Sequence, residues 1–97
     1  MPELRNAPRT AARQRGTVVV SGRAEIPCTI RDLSSLGARL GFMNPTILPR
    51  SFRLLFDGED QRVTVMWQAG VLAGVRFHTA IGRLPAPKKR AWPWSRK

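Results

Sequence analysis

The chain has 97 residues, and once its basic ends are set aside about 65 remain to form a core, which limits it to one domain. Lysine and arginine total 17 against six acidic residues, and the net charge of +11 indicates anionic partners such as nucleotides, nucleic acid or acidic lipid. The single cysteine, Cys28, excludes an internal disulfide, and no apolar run is long enough for a signal peptide or a membrane span, so we expect a cytoplasmic protein.

Residues 1–16 lack apolar periodicity and contain two prolines and four arginines, which predicts a flexible arm. Arg5, Arg9 and Arg13 recur every four residues, which would align them on a helix, but Pro8 argues against a continuous helix. A guanidinium group can form bidentate hydrogen bonds with phosphate oxygens, pair with the guanine edge or stack on a base. The chain has 14 arginines, so the Arg9-x-x-x-Arg13 pair is by itself weak evidence for a nucleotide site.

Residues 17–81 consist of short β-type runs with turn signals between most neighbours, which predicts a β-domain without an amphipathic helix. Ser21-Gly22 and Asp57–Asp60 are the clearest turns, and Pro27 favours an edge position or a bulge. The pattern favours an antiparallel sandwich or a small barrel. The predicted strands are Thr17–Val20, Ala24–Arg31, Ala38–Phe42, Phe52–Phe56, Arg62–Trp67 and Val71–Phe77.

Alternation with a period of two predicts that Val63, Val65 and Trp67 share one face of their strand. Phe52, Val65, Trp67 and Phe77 are therefore predicted to be core residues whose truncation destabilises the fold.

Residues 82–97 carry six basic residues and no acidic one among several prolines, and we expect a disordered basic tail rather than packed structure. Within this tail Lys88–Arg90 is followed by Trp92 and Trp94, a combination that could give weak contact with an anionic membrane.

No arrangement of residues indicates catalysis or a metal. Cys28 and His78 are 50 positions apart and have no metal-ligand spacing, so no zinc site is expected. His78 is the only histidine, and the acids of the Asp57–Asp60 turn are explained as solvated charge. We therefore expect a protein that is not an enzyme and that has no cofactor.

The stretch Asp32-x-Ser34-x-x-Gly37 lies where the second predicted strand ends and the third begins. Asp32 and Ser34, two residues apart in an extended segment, would offer a carboxylate and a hydroxyl on the same side. Gly37 can adopt a positive φ, which would let the backbone turn closely around a bound group. The alternative is an Asx or Ser turn that only caps the hairpin.

Taken together, the Arg9-x-x-x-Arg13 pair, the Asp32-x-Ser34-x-x-Gly37 turn about twenty residues downstream and the strand pattern closely resemble the bacterial PilZ domain family. The resemblance covers roughly residues 5–78. The segments that resemble the closing strands of the family are Val65–Trp67 and Gly74–Phe77.

This resemblance implies a six-stranded antiparallel β-barrel that binds cyclic di-GMP. By resemblance, Arg9 and Arg13 would hold phosphates and guanine edges or faces, and Asp32 and Ser34 would form hydrogen bonds at the guanine edge. Gly37 would allow close backbone approach. The implied function is a receptor whose arm is ordered by the nucleotide and which then signals to an effector protein in trans.

The sequence leaves two alternatives open. The first is a nucleic-acid-binding β-module, since the basic charge and the tryptophans would combine phosphate attraction with base stacking. Nucleic acid is disfavoured because Asp32 is a poor neighbour for a phosphate track. The second is a PilZ-like domain that serves only for protein contacts and does not bind the nucleotide.

Overall fold

The computed structural model describes residues 14–20 and 24–86, and within these ranges the chain is all-β. Six antiparallel strands form a closed barrel in the order β1-β2-β3-β6-β5-β4, which confirms the predicted fold class. The described residues include no helix long and apolar enough to cross a membrane. The strands are β1 (Gln14–Val20), β2 (Ala24–Leu33), β3 (Gly37–Gly41), β4 (Ser51–Phe56), β5 (Glu59–Ala69) and β6 (Leu72–Phe77).

The observed strands are mostly longer than the apolar runs that predicted them. β1 begins at Gln14 instead of Thr17, so three residues that were expected in the arm belong to the barrel. β5 extends from Glu59 to Ala69, beyond both ends of its predicted range. Polar residues continue these strands because ladder hydrogen bonds use the backbone alone, whereas the apolar pattern reports only which side chains are buried.

Two tight turns have the backbone geometry that their residues favour. Asp57 and Gly58 join β4 to β5 with φ of 46° and 77°, as a type I′ hairpin turn requires. Gly70 has φ of 61° at the first position of the two-residue turn between β5 and β6. Pro27 pairs with β1 before the pairing of β2 with β3 begins, so it occupies an edge position, as predicted.

One continuous apolar core fills the barrel. Phe52 and Phe77 are buried in it, as predicted, and Val65 is partly buried against it. The rings of Phe56 and Phe77 stack with centroids 6.0 Å apart. The side chains with no exposed surface are those of Val18, Ile30, Ala38, Leu40, Leu54, Val63, Ala73 and Val75.

The prediction that Trp67 belongs to the core is wrong. Val65 pairs with Val75 whereas Trp67 pairs with Gly74, so Met66 is an extra residue in a β-bulge. One extra residue reverses the inside and outside alternation of the strand beyond it. Trp67 is therefore half-buried on the outer surface of the barrel.

Ordered packing continues past Gly82, where the sequence predicted the tail to begin. Ile81 is buried in the core, and Leu84 packs against it. The backbone N–H of Ser35 donates to the carbonyl of Pro85 at 2.8 Å, and the N–H of Ile81 donates to the carbonyl of Ser35 at 2.8 Å. The segment 81–85 thus covers one side of the turn between β2 and β3.

Candidate functional site

Four residues from four strands form a row across the outside of the barrel, which we call the outer row. Asp32 of β2 pairs with Arg39 of β3, Arg39 pairs with Gly74 of β6, and Gly74 pairs with Trp67 of β5. The neighbours of Arg39 along β3 are fully buried, so alternation directs Arg39 outward. Gly74 is buried although it has no side chain, which means that neighbouring groups cover it.

The Asp32 carboxylate forms a salt bridge with the Arg39 guanidinium across the β2–β3 pair. Both side chains are half-buried, and the Nε of Arg39 is buried without a hydrogen-bond partner. A β-bulge at Arg31 sets this pairing, because the register shifts between Ile30 and Asp32. The bridge joins Nη2 of Arg39 to Oδ2 of Asp32. A carboxylate has about four acceptor positions, so the pair can accept further hydrogen bonds.

Ser34 lies beyond the end of β2 and is 4% exposed. Its hydroxyl donates to the carbonyl of Gly37 at 3.4 Å and accepts from the N–H of Leu36 at 3.3 Å. The Ser turn that was the alternative for this segment is therefore present. Asp32 and Ser34 do not share an open face, because the Ser34 hydroxyl is engaged inside the turn.

Gly37 does not have the positive φ that was predicted for it. The described glycines in that region of backbone conformation are Gly58 and Gly70. Gly37 instead begins β3 as a regular strand residue opposite Arg76, and its carbonyl accepts the N–H of Ser34 at 2.9 Å. The β2–β3 turn is closed by hydrogen bonds from Ser34, so a left-handed residue is not needed.

Arg9 and Arg13 lie outside the described residues. The described chain begins at Gln14, which pairs with Ile30 of β2, two residues before Asp32. The arginine-containing segment therefore joins the barrel beside the strand that carries Asp32.

Sequence reasoning missed Arg39, Trp67 and Gly74 as members of this site. Arg39 could have been found, because the hairpin that follows Asp32 returns a basic residue to the opposite strand. Trp67 could not have been found, because its outward position depends on the bulge at Met66. Gly74 is recognised as a member of the site only because it pairs with Trp67.

Other polar groups have structural explanations. The Nε2 of His78 lies 2.7 Å from the hydroxyl of Thr64 on the exposed surface. Glu59 accepts from Arg83 at 2.8 Å, and the pKa of Glu59 is lowered by hydrogen bonds from Gln61 and Arg83. Among residues 14–20 and 24–86, no three histidine, cysteine or acidic side chains come together as a metal site would need.

Searches with this chain find no matching family model, no matching curated protein and no matching solved structure.

Proposed function

We propose that the protein is a receptor for cyclic di-GMP that signals to an effector protein in trans. The observation that carries the proposal is the outer row, which combines a carboxylate, a guanidinium and an indole on the outside of a closed barrel. This row also lies beside the strand end at which an arginine-rich segment enters the barrel. The PilZ-like spacing of Arg9, Arg13 and Asp32 in the sequence supports the same ligand.

The chemistry of the Asp32–Arg39 pair is complementary to guanine. The base offers N–H donors on its Watson–Crick edge, which a carboxylate accepts, and O6 and N7 acceptors, which a guanidinium can bind. Asp32 and Arg39 are fixed against each other by their salt bridge, so little side-chain entropy is lost when they bind the base.

Trp67 and Gly74 extend the same row away from the charged pair. Base stacking on an aromatic ring contributes about 1–3 kcal/mol. We propose that Trp67 supports a guanine ring and that the groups that cover Gly74 move aside when the base binds.

The phosphates are assigned to Arg9 and Arg13. Arg13 directly precedes Gln14 in the sequence, and Gln14 pairs with Ile30 close to Asp32. Consecutive Cα atoms are about 3.8 Å apart, so Arg13 is tethered near the outer row. Two arginines repel each other until a doubly charged nucleotide neutralises them, which favours a conformational change of this segment on binding.

Ser34 and Gly37 act in this proposal as positioning residues. The Ser34 hydroxyl bonds within the β2–β3 turn and the Gly37 carbonyl accepts from it, which fixes the end of β2 that carries Asp32. Direct contact of Ser34 with the nucleotide would require the turn to give up these bonds.

Isothermal titration calorimetry with cyclic di-GMP tests the proposal. We expect the wild-type protein to bind with micromolar or tighter affinity, and Asp32→Ala and Arg13→Ala to bind about 10 to 100 times more weakly, because each loses a hydrogen bond to a charged group. Asp60→Ala is the matched control, since Asp60 is also an aspartate paired with an arginine on a strand but belongs to β5.

Other outcomes separate the alternatives. No heat of binding from the wild-type protein would reject the receptor function and leave a domain for protein contacts. A nucleic-acid-binding module would instead tolerate Asp32→Ala and bind single-stranded oligonucleotides with a steep salt dependence.

A further inference from the structure

Two large apolar side chains are almost entirely in solvent on the loop between β3 and β4, residues 42–50. Met43 is 91% exposed and Ile47 is 94% exposed. Scattered exposed apolar residues are common on protein surfaces, but two on one short loop at this degree of exposure form a protruding apolar tip.

The loop is held firmly on the barrel at both ends. The N–H of Phe42 donates to the carbonyl of Val71 at 2.8 Å, and the carbonyl of Arg50 accepts from Val65 at 2.8 Å. The exposure of the tip is therefore not a consequence of loose loop ends.

The middle of the loop is fixed by a single side chain from β5. The Gln68 amide donates through Nε2 to the carbonyl of Thr46 and accepts through Oε1 from the N–H of Leu48 at 3.3 Å. Leu48 is buried in the core, and Pro45 and Pro49 restrict the backbone further. The loop is thus preorganised to present Met43 and Ile47 outward, which lowers the entropy lost on binding.

The surroundings of the tip carry positive charge. No acidic residue occurs between Asp32 and Asp57 in the sequence, and Arg50 ends the loop. Arg15 and Met43 line the same surface hollow of about 770 Å³. Asp57, Glu59 and Asp60 of the β4–β5 hairpin line this hollow as well, and they pair with Arg53 and Arg83.

Arg31 adds a further positive charge close to the tip. Its side chain lies over Gly41, where a Cβ would come within 3.1 Å of the Arg31 Cδ. Glu25 at the start of β2 is a further acid among the described residues. The tip therefore has both basic and ion-paired acidic neighbours, and the net charge of +11 of the whole chain favours contact with an anionic surface.

We propose that the β3–β4 loop is a membrane-contacting tip that inserts Met43 and Ile47 into an anionic lipid surface while the nearby arginines contact lipid phosphates. A convex tip needs a pocket in a protein partner or in a second copy, whereas a fluid bilayer accepts it without one. Apolar insertion combined with basic charge supplies the two signals that stable membrane attachment requires. This inference is independent of nucleotide binding.

Co-sedimentation of the full chain with phosphatidylcholine vesicles, with and without half phosphatidylglycerol, tests the tip. We expect binding to the anionic vesicles only, and a loss of about tenfold for the double variant Met43→Ser/Ile47→Ser, because its apolar area is removed. Leu36→Ser is the control, since Leu36 is 39% exposed in the β2–β3 turn at the other end of the barrel.

Failure to bind anionic vesicles would overturn the proposal. Equal binding by the wild type and the double variant would also overturn it, because the basic tail alone would then explain attachment. The proposal is supported if the double variant binds anionic vesicles about ten times more weakly than the wild type and Leu36→Ser binds them as well as the wild type does.

Methyl resonances locate the contact directly. The chain has four isoleucines, Ile26, Ile30, Ile47 and Ile81, of which Ile30 and Ile81 are buried in the core. With isoleucine methyl labelling and vesicles that contain spin-labelled lipid, we expect the Ile47 signal to be attenuated most. Equal attenuation of the four signals, or none at Ile47, would contradict insertion of the tip.

Discussion

Cys28 is buried against the inner face of β1, and this burial raises the pKa of its thiol from 9.0 to about 11. The thiolate is the reactive form, so we expect Cys28 to react with iodoacetamide at pH 8 far more slowly in the native protein than in denaturant. The rate is measured by mass spectrometry. Equal rates in the native and denatured protein would show that the thiol is not protected.

The same shift has a consequence for stability. The folded state retains the thiol proton at pH values where the unfolded state has lost it, so this contribution is complete below pH 9.0 and declines as the pH rises toward about 11. Urea unfolding of the wild type and Cys28→Ala should therefore show a stability difference that changes over this range and is constant below it.

At the level of the elements, the hairpin turns depend on residues with left-handed backbone. Gly58 has φ of 77° and open space where a Cβ would lie, so Gly58→Ala introduces strain without a clash. We expect its free energy of unfolding to fall by about 1 kcal/mol in urea denaturation. Gly82→Ala is the control, because Gly82 also has open space but no positive φ, and its stability should be unchanged. Equal effects of the two variants would contradict this explanation.

The β-bulge at Met66 separates core from surface within β5. Phe77 is buried, and Phe77→Ala should lower the free energy of unfolding by about 3–5 kcal/mol. Trp67 is half-buried outside the core, so Trp67→Ala should cost clearly less stability and should weaken binding of cyclic di-GMP instead. Urea unfolding and calorimetry measure the two effects. A stability loss for Trp67→Ala as large as that for Phe77→Ala would place the indole in the core after all.

The strands were predictable where local chemistry decides them. Asp57-Gly58 has a strong preference for a two-residue hairpin, and the alternating residues of β3 and β4 identify their buried faces. The Met66 bulge was not predictable, because Val65 and Trp67 are both apolar and two residues apart, as in a regular strand. The early start of β1 at Gln14 was missed because polar residues carry no burial signal.

On the scale of the whole molecule, barrel closure brings distant residues into the candidate site. Asp32 and its turn could be identified from spacing, since they are close in sequence. Trp67 and Gly74 reach the same face only through the pairing of β3 with β6 and of β6 with β5. Such non-local pairing has no signature in a single sequence. Of the four residues of the outer row, the sequence therefore predicted only Asp32.

Closure also explains why the site can be rigid in so small a domain. The outer row spans four neighbouring strands of the closed barrel: Arg39 and Gly74 at its centre pair with a strand on each side, and Asp32 and Trp67 at its ends pair with β3 and β6. We therefore expect the barrel to change little when the nucleotide binds and the adjoining segment before Gln14 to change most.

The most direct measurement is a magnetic resonance titration of the full chain with cyclic di-GMP. In the variant Trp92→Phe/Trp94→Phe, Trp67 gives the only indole N–H signal. We predict that this signal and the amide signals of Asp32, Arg39 and Gly74 shift together and reach saturation at the same concentration of cyclic di-GMP. Shifts concentrated around Arg53 and Asp60 instead, or no shifts at all, would contradict a nucleotide site on the outer row.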